Sequence, residues 1–401
     1  MMATLTYKRL RDAVSGKAAA FRAKVELQPI DGPGGKVFPP TYADATFVTE
    51  ERMIGGEAVP CILLDSVPSQ ANRMEQALLD GIERGEIELP LIQVDFGDQA
   101  TDRRILVTAL DAPHRMADAL FRDSLLDATP FRKSDVGKCL DTASQTNATD
   151  VFGYCPTALL FGMWDSTRLH GGIGPKFTRA MVSEIVAINA CTGKKVASRL
   201  DPVPISASQV LYKAKEGADC AWTLDPKLAQ KKKSTAVPIK GKGRPSEVVL
   251  GNIAPSIEDG GITMDSAAQS ITLSLAALRN LGFPLNVSEP ADAKVNDAAR
   301  TVLAAIGLCA AALANESGYF LRSRCHLWPS GPVQWELLDS PGKTPETFDL
   351  PAEAATKVLK DAVGAACKAG LPWSGSIELT PSESLVQLVN ASHDLIGQEG
   401  G

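Results

Sequence analysis

Cationic side chains flank a glycine-rich loop in the middle of this 401-residue chain. Glycine lets a backbone approach a ligand closely and leaves its N–H groups unhindered, while Lys and Arg supply positive charge for phosphates. The segment 164–199 therefore predicts a binding site for a polyanion. Its flanking cations are Arg168, Lys176, Arg179, Lys194, Lys195 and Arg199.

The loop itself, HGGIGPK at residues 170–176, resembles a phosphate-binding loop only in composition. It lacks the GxxxxGK[ST] spacing, and no predicted helix follows it at once, so it is weak support for nucleotide hydrolysis. His170 has the chemistry of a general base, but no Ser, Cys or Asp is tied to it by spacing. We therefore assign no catalytic residue and no cofactor. A small-molecule enzyme that holds a nucleotide on this loop stays as an alternative.

A second cluster of polar residues follows a buried strand predicted at residues 61–65. Apolar residues at helical spacing predict a helix over 66–82, with Ser66 or Ser69 as its cap and Pro68 in its first turn. Free N–H groups and the helix dipole favour an anion there. Capping alone explains the serines, but it does not explain the polar side chains that follow them so closely. The candidate phosphate site comprises Ser69, Gln70, Asn72 and Arg73.

Two further segments are candidate contacts for the phosphate backbone of a polyanion. Residues 31–42, DGPGGKVFPPTY, are too rich in glycine and proline for regular structure, and Lys36 supplies their charge. A long turn closed by Phe38 and Tyr42 explains them equally well. Residues 319–327 predict a strand with Arg322, Arg324 and His326 on one face, which is either solvent-facing or a basic sheet surface. Residues 333–338 would pair with it as a hairpin.

Residues 227–244 hold seven Lys or Arg and no acidic residue, with Gly and Pro breaking any helix. One interpretation is a solvated or partly disordered loop. The other is a flexible arm that orders on a phosphate backbone. The candidate contacts in the arm are Lys231, Lys232, Lys233, Lys240 and Arg244.

The charge is unevenly distributed along the chain. The formal net charge is −6, but residues 168–244 carry 15 Lys or Arg against 5 Asp or Glu, leaving the remainder at −16. A basic central third in an acidic frame indicates a localised anionic partner. Aromatic residues make up 5% of the chain, which argues against a surface built mainly from stacking rings.

The eight cysteines are scattered without CxxC pairs, which is typical of reduced cytosolic thiols. Cys325 and His326 are adjacent rather than at ligand spacing, so no metal ligand is assigned, although a structural zinc stays open. The longest apolar run, residues 302–314, is shorter than the roughly 20 residues that span a bilayer. We expect a soluble, cytoplasmic protein with no membrane contact.

The coarse pattern predicts an α+β fold with strand–helix–strand units at residues 19–82 and 269–327. Other expected elements are a hairpin of strands 89–96 and 104–109, a helix over 112–126, a strand over 157–164, a buried helix over 295–315 and helices over 352–369 and 381–395. The domains are expected to be 1–150 with 265–340, a basic insertion at 151–264, and an extension at 341–401.

Four blocks together resemble one known family. They are DGPGGKVFPPTY, LLDSVPSQANRMEQAL, WDST…GGIGPKFTRAMVSEIV and FLRSRCHL, and the resemblance spans roughly residues 20–330. They are similar to the backbone subunit of the type I-U (I-G) CRISPR Cascade, a RAMP-superfamily protein. The resemblance implies an RRM-like (ferredoxin-like) palm with inserted finger and thumb elements. It also implies several copies in a helical filament along CRISPR RNA, contacts with other Cascade subunits, and display of the guide to target DNA.

The resemblance implies RNA contacts for Arg73, Lys176 and Arg179, which lie inside the matching blocks, and no nuclease activity. A subunit that holds any guide sequence must contact phosphates and 2′-OH groups rather than read bases. An alternative is a backbone-borne ribonuclease, as in related type III complexes, with Asp44 or Asp165 as the cutting residue.

Overall fold

The computed structural model describes residues 3–97, 104–166, 174–286, 288 and 290–399. Helices and strands are mixed along the chain, which confirms the α+β class. The chain divides into two compact units: residues 1–190 with 264–401, here the main unit, and residues 191–263, here the inserted unit. This corrects the expected boundaries, because residues 151–190 and 341–401 both belong to the main unit.

The helices begin and end near apolar stretches of helical spacing. In chain order they are α1 (Tyr7–Ser15), α2 (Val67–Glu83), α3 (Ala119–Arg122), α4 (Asp135–Thr142), α5 (Thr149–Tyr154), α6 (Pro156–Phe161), α7 (Leu275–Arg279), α8 (Ala293–Glu316), α9 (Ala352–Lys368) and α10 (Glu383–Glu399).

The strands are in chain order β1 (Ala3–Thr4), β2 (Ala20–Pro29), β3 (Thr49–Ile54), β4 (Glu57–Asp65), β5 (Leu91–Asp95), β6 (Leu106–Thr108), β7 (Ser124–Leu126), β8 (Thr129–Pro130), β9 (Met163–Trp164), β10 (Lys176–Phe177), β11 (Met181–Ile188), β12 (Cys191–Arg199), β13 (Tyr212–Lys213), β14 (Trp222–Thr223), β15 (Lys231–Lys232), β16 (Thr235–Ala236), β17 (Ile253–Thr263), β18 (Ser266–Ser274), β19 (Tyr319–Arg322), β20 (Cys325–Pro329), β21 (Gln334–Leu338), β22 (Glu346–Asp349) and β23 (Ser376–Pro381).

The main unit is built on a ten-stranded sheet ordered β1-β22-β21-β2-β18-β11-β4-β3, with β20 also pairing β2, and β19 pairing β20. Strand β2 pairs antiparallel with both β18 and β20, and β18 pairs antiparallel with β11. Alternation in β2 places Phe21, Ala23, Val25 and Leu27 on the buried face. The alternate residues of β2 lie on the open face.

Helices α2 and α8 cover the buried face, and α9 packs on α8. Helix α8 packs against α1, α2 and α9, and its side chains are buried nearly all round, which suits an apolar helix in a core. It is long and apolar enough to cross a membrane, but 78% of its most apolar 18-residue window is buried inside the protein. That burial is what a core helix requires.

A second, five-stranded sheet in the main unit has the order β6-β5-β23-β7-β8. The predicted hairpin of residues 89–96 and 104–109 is confirmed as β5 and β6, which pair antiparallel. Strand β23 near the C-terminus pairs parallel with β5 and antiparallel with β7. The predicted C-terminal extension is therefore part of this unit rather than a separate domain.

Three sequence predictions about local structure are wrong, besides that for residues 319–327, which is described with the candidate interface. Residues 112–126 hold a short 3-10 turn, α3 and β7 instead of one helix, because Arg115 has a left-handed backbone (φ 52°) and its side chain is buried. Residues 156–161 form helix α6 rather than a strand; a short buried apolar run fits either, and Pro156 suits the first helical turn. Residues 333–338 pair, as β21, with β2 and β22 rather than with β20.

The inserted unit has a two-stranded ribbon, β12 with β17, and smaller hairpins between them along the chain. Its interior is small and includes Leu211, Ala214, Ala229 and Ile239. Backbone hydrogen bonds such as Leu211 N to Gly243 O (2.7 Å) and Lys213 N to Val237 O (2.8 Å) order its loops. The unit carries 12 Lys or Arg against 7 Asp or Glu.

Candidate nucleic-acid interface

The glycine–proline loop 31–42 is tied to the hairpin of β19 and β20. Phe38 N donates to Arg324 O (2.9 Å), and Arg322 Nη1 donates to Pro39 O (2.9 Å). The Arg324 guanidinium lies 3.9 Å from the centre of the Phe38 ring, a cation–π contact. Three predicted contact residues, Lys36, Arg322 and Arg324, are thus carried by two segments that are bonded to each other.

The strand predicted over residues 319–327 is in fact this hairpin. The chain reverses at Ser323 and Arg324, and Arg324 has a left-handed backbone with φ 61°. The alternation that would place Arg322, Arg324 and His326 on one face therefore breaks. Both arginines remain exposed, at the turn and beside it.

Gln70 is not available to a ligand, which corrects its assignment as an RNA contact. The side chain is 1% exposed, and its Nε2 donates to Asp65 Oδ2 (2.6 Å). Its Oε1 accepts from Ser183 Oγ (2.7 Å) and Gln269 Nε2 (2.9 Å). Gln70 therefore connects α2 to β4, β11 and β18, and this internal network explains a polar residue at the helix N-terminus.

Arg73 extends the same network toward the hairpin. Its Nε donates to Asp65 Oδ2 (2.9 Å), and its terminal nitrogens donate to the carbonyls of Phe320 (3.2 Å) and Leu321 (2.9 Å). Gln269 Nε2 also donates to the Tyr319 hydroxyl (2.6 Å), and burial raises the pKa of that phenol. The structure thus makes Arg73 a support for β19, with 30% of its side chain still exposed.

The other two candidates on α2 differ from each other. Ser66 caps the helix by accepting from Ser69 N (3.5 Å), as the sequence predicts. Ser69 itself is half-buried, whereas Asn72 is exposed. Asn72 is the member of this set whose side chain is most accessible.

Lys176 lies in a short two-stranded ladder, and Arg179 follows it by three residues. Strand β9 pairs antiparallel with β10, so Trp164 is opposite Lys176, and the Lys176 Nζ is 5.8 Å from the Trp164 ring centre. Lys176, Arg179 and Trp164 are all exposed. Arg168 and His170, with the glycines of residues 167–173, lie outside the described residues.

A buried ion pair that the sequence analysis missed supports this ladder. Arg115 makes two hydrogen bonds to the Glu75 carboxylate (2.6 and 2.7 Å) and donates to Gly162 O (2.7 Å), one residue before β9. Burial raises the pKa of Glu75 to about 7, against the opposing effect of Arg115. One signal was available: Glu75 follows Ala71 by four residues, on the apolar face of α2.

In the inserted unit, Lys231 to Lys233 belong to a tight hairpin rather than an arm without regular structure. Strand β15 pairs with β16, and the linking residues Lys233 and Ser234 have φ values of 51° and 68°. Two left-handed residues in a two-residue loop make a type I′ turn, whose twist suits paired strands. All three lysines are exposed on this hairpin.

The remaining cations of the inserted unit have different settings. Lys240 and Arg244 are exposed, in the loop after β16. Arg199 donates to Gly251 O (3.0 Å) and pairs with Asp201 (3.1 Å), whose other oxygen accepts from Gly251 N. Arg199 therefore closes the base of the loops between β12 and β17, with 26% of its side chain exposed.

The two candidates for a ribonuclease aspartate also differ. Asp165 is 2% exposed and pairs with Arg132 (3.0 Å), so its carboxylate is not presented to a strand of RNA. Asp44 is exposed, with φ 59°. Within the described ranges, no group of three or more His, Cys, Asp or Glu has the arrangement to hold a metal ion. Burial raises the pKa of the Cys325 thiol to about 12.

The open face of the main sheet is polar and charge-paired. Arg22 pairs with Glu336 (2.5 Å) across β2 and β21, and Arg52 pairs with Glu184 (2.8 Å). In β2, β11 and β18, which are fully described, the outward side chains include no aromatic ring. The centre of this face therefore offers no stacking platform.

Comparison with known proteins gives one family match. Residues 21–192 match the family model described as CRISPR-associated protein GSU0053. No curated protein matches the chain. A crystal structure of Csc2 from Thermofilum pendens is 10% identical, covers 96% of this chain and 80% of its own, and has a TM-score of 0.27, too low to support an argument. The resemblance of residues 21–192 to a CRISPR-associated family is thus confirmed.

Proposed function

We propose that this protein is a non-catalytic backbone subunit of a type I-U Cascade complex that binds CRISPR RNA through its phosphates. Several copies assemble as a helical filament along one RNA, contact other Cascade subunits in the cytoplasm, and support pairing of the guide with target DNA. The observation that carries the proposal is the set of Lys36, Arg322 and Arg324 on two mutually bonded segments, in a chain whose residues 21–192 match a CRISPR-associated family.

The topology of the main sheet supports an RRM-like palm. The units β2-α2-β11 and β18-α8-β20 run in chain order, and their strands lie in the order β20-β2-β18-β11. This is the arrangement of a βαββαβ ferredoxin-like fold. In the proposal, β3 and β4, residues 84–180 and the inserted unit are additions to this palm, and the inserted unit supplies a finger or thumb.

The arrangement favours sequence-independent binding. Exposed cations attract phosphates whatever the base, which a subunit that carries any guide requires. Lys176, Arg179 and Asn72 in the main unit, and the Lys231–Lys232 strand with Lys233 in the inserted unit, are exposed and form the rest of the proposed contact set. Lys240 and Arg244 complete it.

The test replaces two of the proposed phosphate-binding cations with glutamine, which is polar and uncharged. A Lys176→Gln/Arg179→Gln variant should bind single-stranded RNA more weakly for every sequence, and the slope of log affinity against log salt should fall by about 1.4, or roughly 0.7 per lost phosphate contact. The measurement is fluorescence anisotropy over a salt series.

The matched control is Lys360→Gln/Lys368→Gln, which removes the same charge from exposed positions on α9. Its slope should equal that of the wild type. An equal loss in both variants would mean that only net charge matters, and a slope unchanged in a folded Lys176→Gln/Arg179→Gln protein would remove these residues from the interface.

A further inference from the structure

Exposed aromatic rings gather on one face of the β19–β20 hairpin, although aromatic residues are scarce in the chain. The ring of Phe320 is 63% exposed and Trp328 is 45% exposed. Phe320 pairs with His326 across the hairpin, and their ring centres are 5.8 Å apart with the planes at 83°. We call these three residues the aromatic strip.

Strand register sets the strip on the open side of the main sheet. Trp328 pairs with Gln28 of β2, which shares its face with Lys24 and Glu26. His326, two residues from Trp328, lies on the same face. The strip thus adds to the edge of this sheet the rings that its central strands lack.

Gly318 leaves room for the indole ring of Trp328. A Cβ atom at this position would lie 2.9 Å from Trp328 Cε3, and Gly318 has φ 66°, so a side chain there is excluded by both space and backbone. The indole therefore lies against bare backbone, with Phe320 two residues further along the chain. Flat aromatic surface is fixed in place while remaining accessible.

Polar groups surround the strip. The outward neighbours of its sheet partner Gln28 are the exposed Lys24 and Glu26. At the other end of the hairpin are the exposed Arg322 and Arg324. An apolar protein partner would take these charges out of water, at a cost in free energy. A nucleotide offers a π face to the rings and a phosphate to the arginines.

We infer that the aromatic strip is a stacking site for an unpaired nucleobase of a single-stranded nucleic acid. The inference rests on the proposed function and adds a base contact to an interface otherwise made of phosphate contacts. Arg73 acts as a positioning residue, since it bonds the carbonyls of Phe320 and Leu321. Stacking tolerates every base because each has a π face, so the site is compatible with any guide sequence.

The experiment compares two RNA strands of about 12 nucleotides, one of adenosines and one abasic, so that they share their phosphates and differ in their bases. Wild-type protein should bind the adenosine strand about tenfold more tightly than the abasic strand. In Phe320→Leu/Trp328→Leu this preference should fall toward unity, while affinity for the abasic strand stays as in the wild type, which also reports that the variant is folded.

Two controls separate stacking from apolar surface. Phe320→Tyr/Trp328→Phe keeps both rings and should keep the preference. Leu388→Ala removes a side chain of equal exposure, 63%, from α10 and should change nothing. Equal affinity of the wild type for both strands would overturn the stacking site and leave phosphate binding intact, whereas no binding of either strand would overturn the proposed function and this site together.

Discussion

At the scale of single residues, the helix N-terminus at Ser66 shows how a ligand-like pattern arises from internal bonding. Gln70 and Arg73 have the side chains expected at a phosphate site, yet both bond Asp65, which is 5% exposed. A buried carboxylate needs such donors because burying an unpaired charge is costly. The same two residues then order β18 and β19, which places their contribution behind the surface rather than on it.

This interpretation predicts the effect of Gln70→Leu. The change leaves Asp65, Ser183 and Gln269 short of hydrogen-bond partners inside the protein, so the free energy of unfolding should fall by about 2–3 kcal/mol. Urea unfolding measures the loss. RNA affinity of the folded protein should not change.

Asn72→Ala, two residues away and exposed, is the control. It should alter the free energy of unfolding by less than about 0.5 kcal/mol. If Gln70→Leu instead weakened RNA binding without loss of stability, Gln70 would be a ligand contact after all.

At the scale of elements, candidate RNA contacts lie on turns that are held by bonds distant in sequence. The β19–β20 turn is bonded to loop 31–42, and the β9–β10 ladder is supported through Gly162 by the buried Arg115–Glu75 pair. The β15–β16 hairpin is set by its own type I′ turn. Ordered turns present cations without the entropy cost of ordering a mobile arm on binding.

The β15–β16 hairpin gives a prediction at this scale. Replacing Lys231, Lys232 and Lys233 with Gln should weaken binding of single-stranded RNA and single-stranded DNA by the same factor, because the lysines contact phosphates and not 2′-OH groups. The slope against salt should fall by about 2 for both strands, from about 0.7 per contact. Parallel anisotropy titrations measure both.

A loss confined to RNA would show that this hairpin recognises ribose, and unchanged binding of both strands would remove it from the interface. The variant keeps Ser234 and the turn geometry, so amide hydrogen exchange across β15 and β16 should match the wild type. That match separates lost charge from a lost hairpin.

At the scale of the whole molecule, positive charge is concentrated in an acidic protein. The inserted unit has a net charge of +5, so the main unit carries −11 of the total of −6. A negative remainder repels non-specific polyanions from most of the surface and favours approach through the basic parts. Such asymmetry suits a subunit that meets RNA along a restricted track.

Assembly along RNA is the prediction at this scale. Protein produced without the other Cascade subunits should carry RNA in a particle whose mass is a multiple of 42.4 kDa plus RNA, and longer RNA should add whole subunits. Light scattering after size exclusion measures the mass, and ribonuclease treatment should release monomers. A monomer at every RNA length would contradict the filament.

The sequence by itself determined the elements whose residues follow a local period. Strand β2 from the alternation at Phe21 to Leu27, helix α2 with its Ser66 cap, and the buried helix α8 all lie where the spacing predicts them. Three of the four blocks that carry the family resemblance also lie within residues 21–192, which match the model of a CRISPR-associated family. The local pattern suffices here because one buried face fixes β2 and α2, and burial on nearly all sides fixes the apolar α8.

Only the tertiary structure decided which candidate residues are exposed, and which lie together. Gln70 is internal because two strands distant in sequence, β11 and β18, supply partners for it. The predicted helix breaks at Arg115, whose partner Glu75 is 40 residues away. Phe320 and Trp328 share a face only because the chain reverses at Ser323. Hydrogen bonds and strand register between remote residues leave no period in the sequence, and these contacts decide the proposed interface.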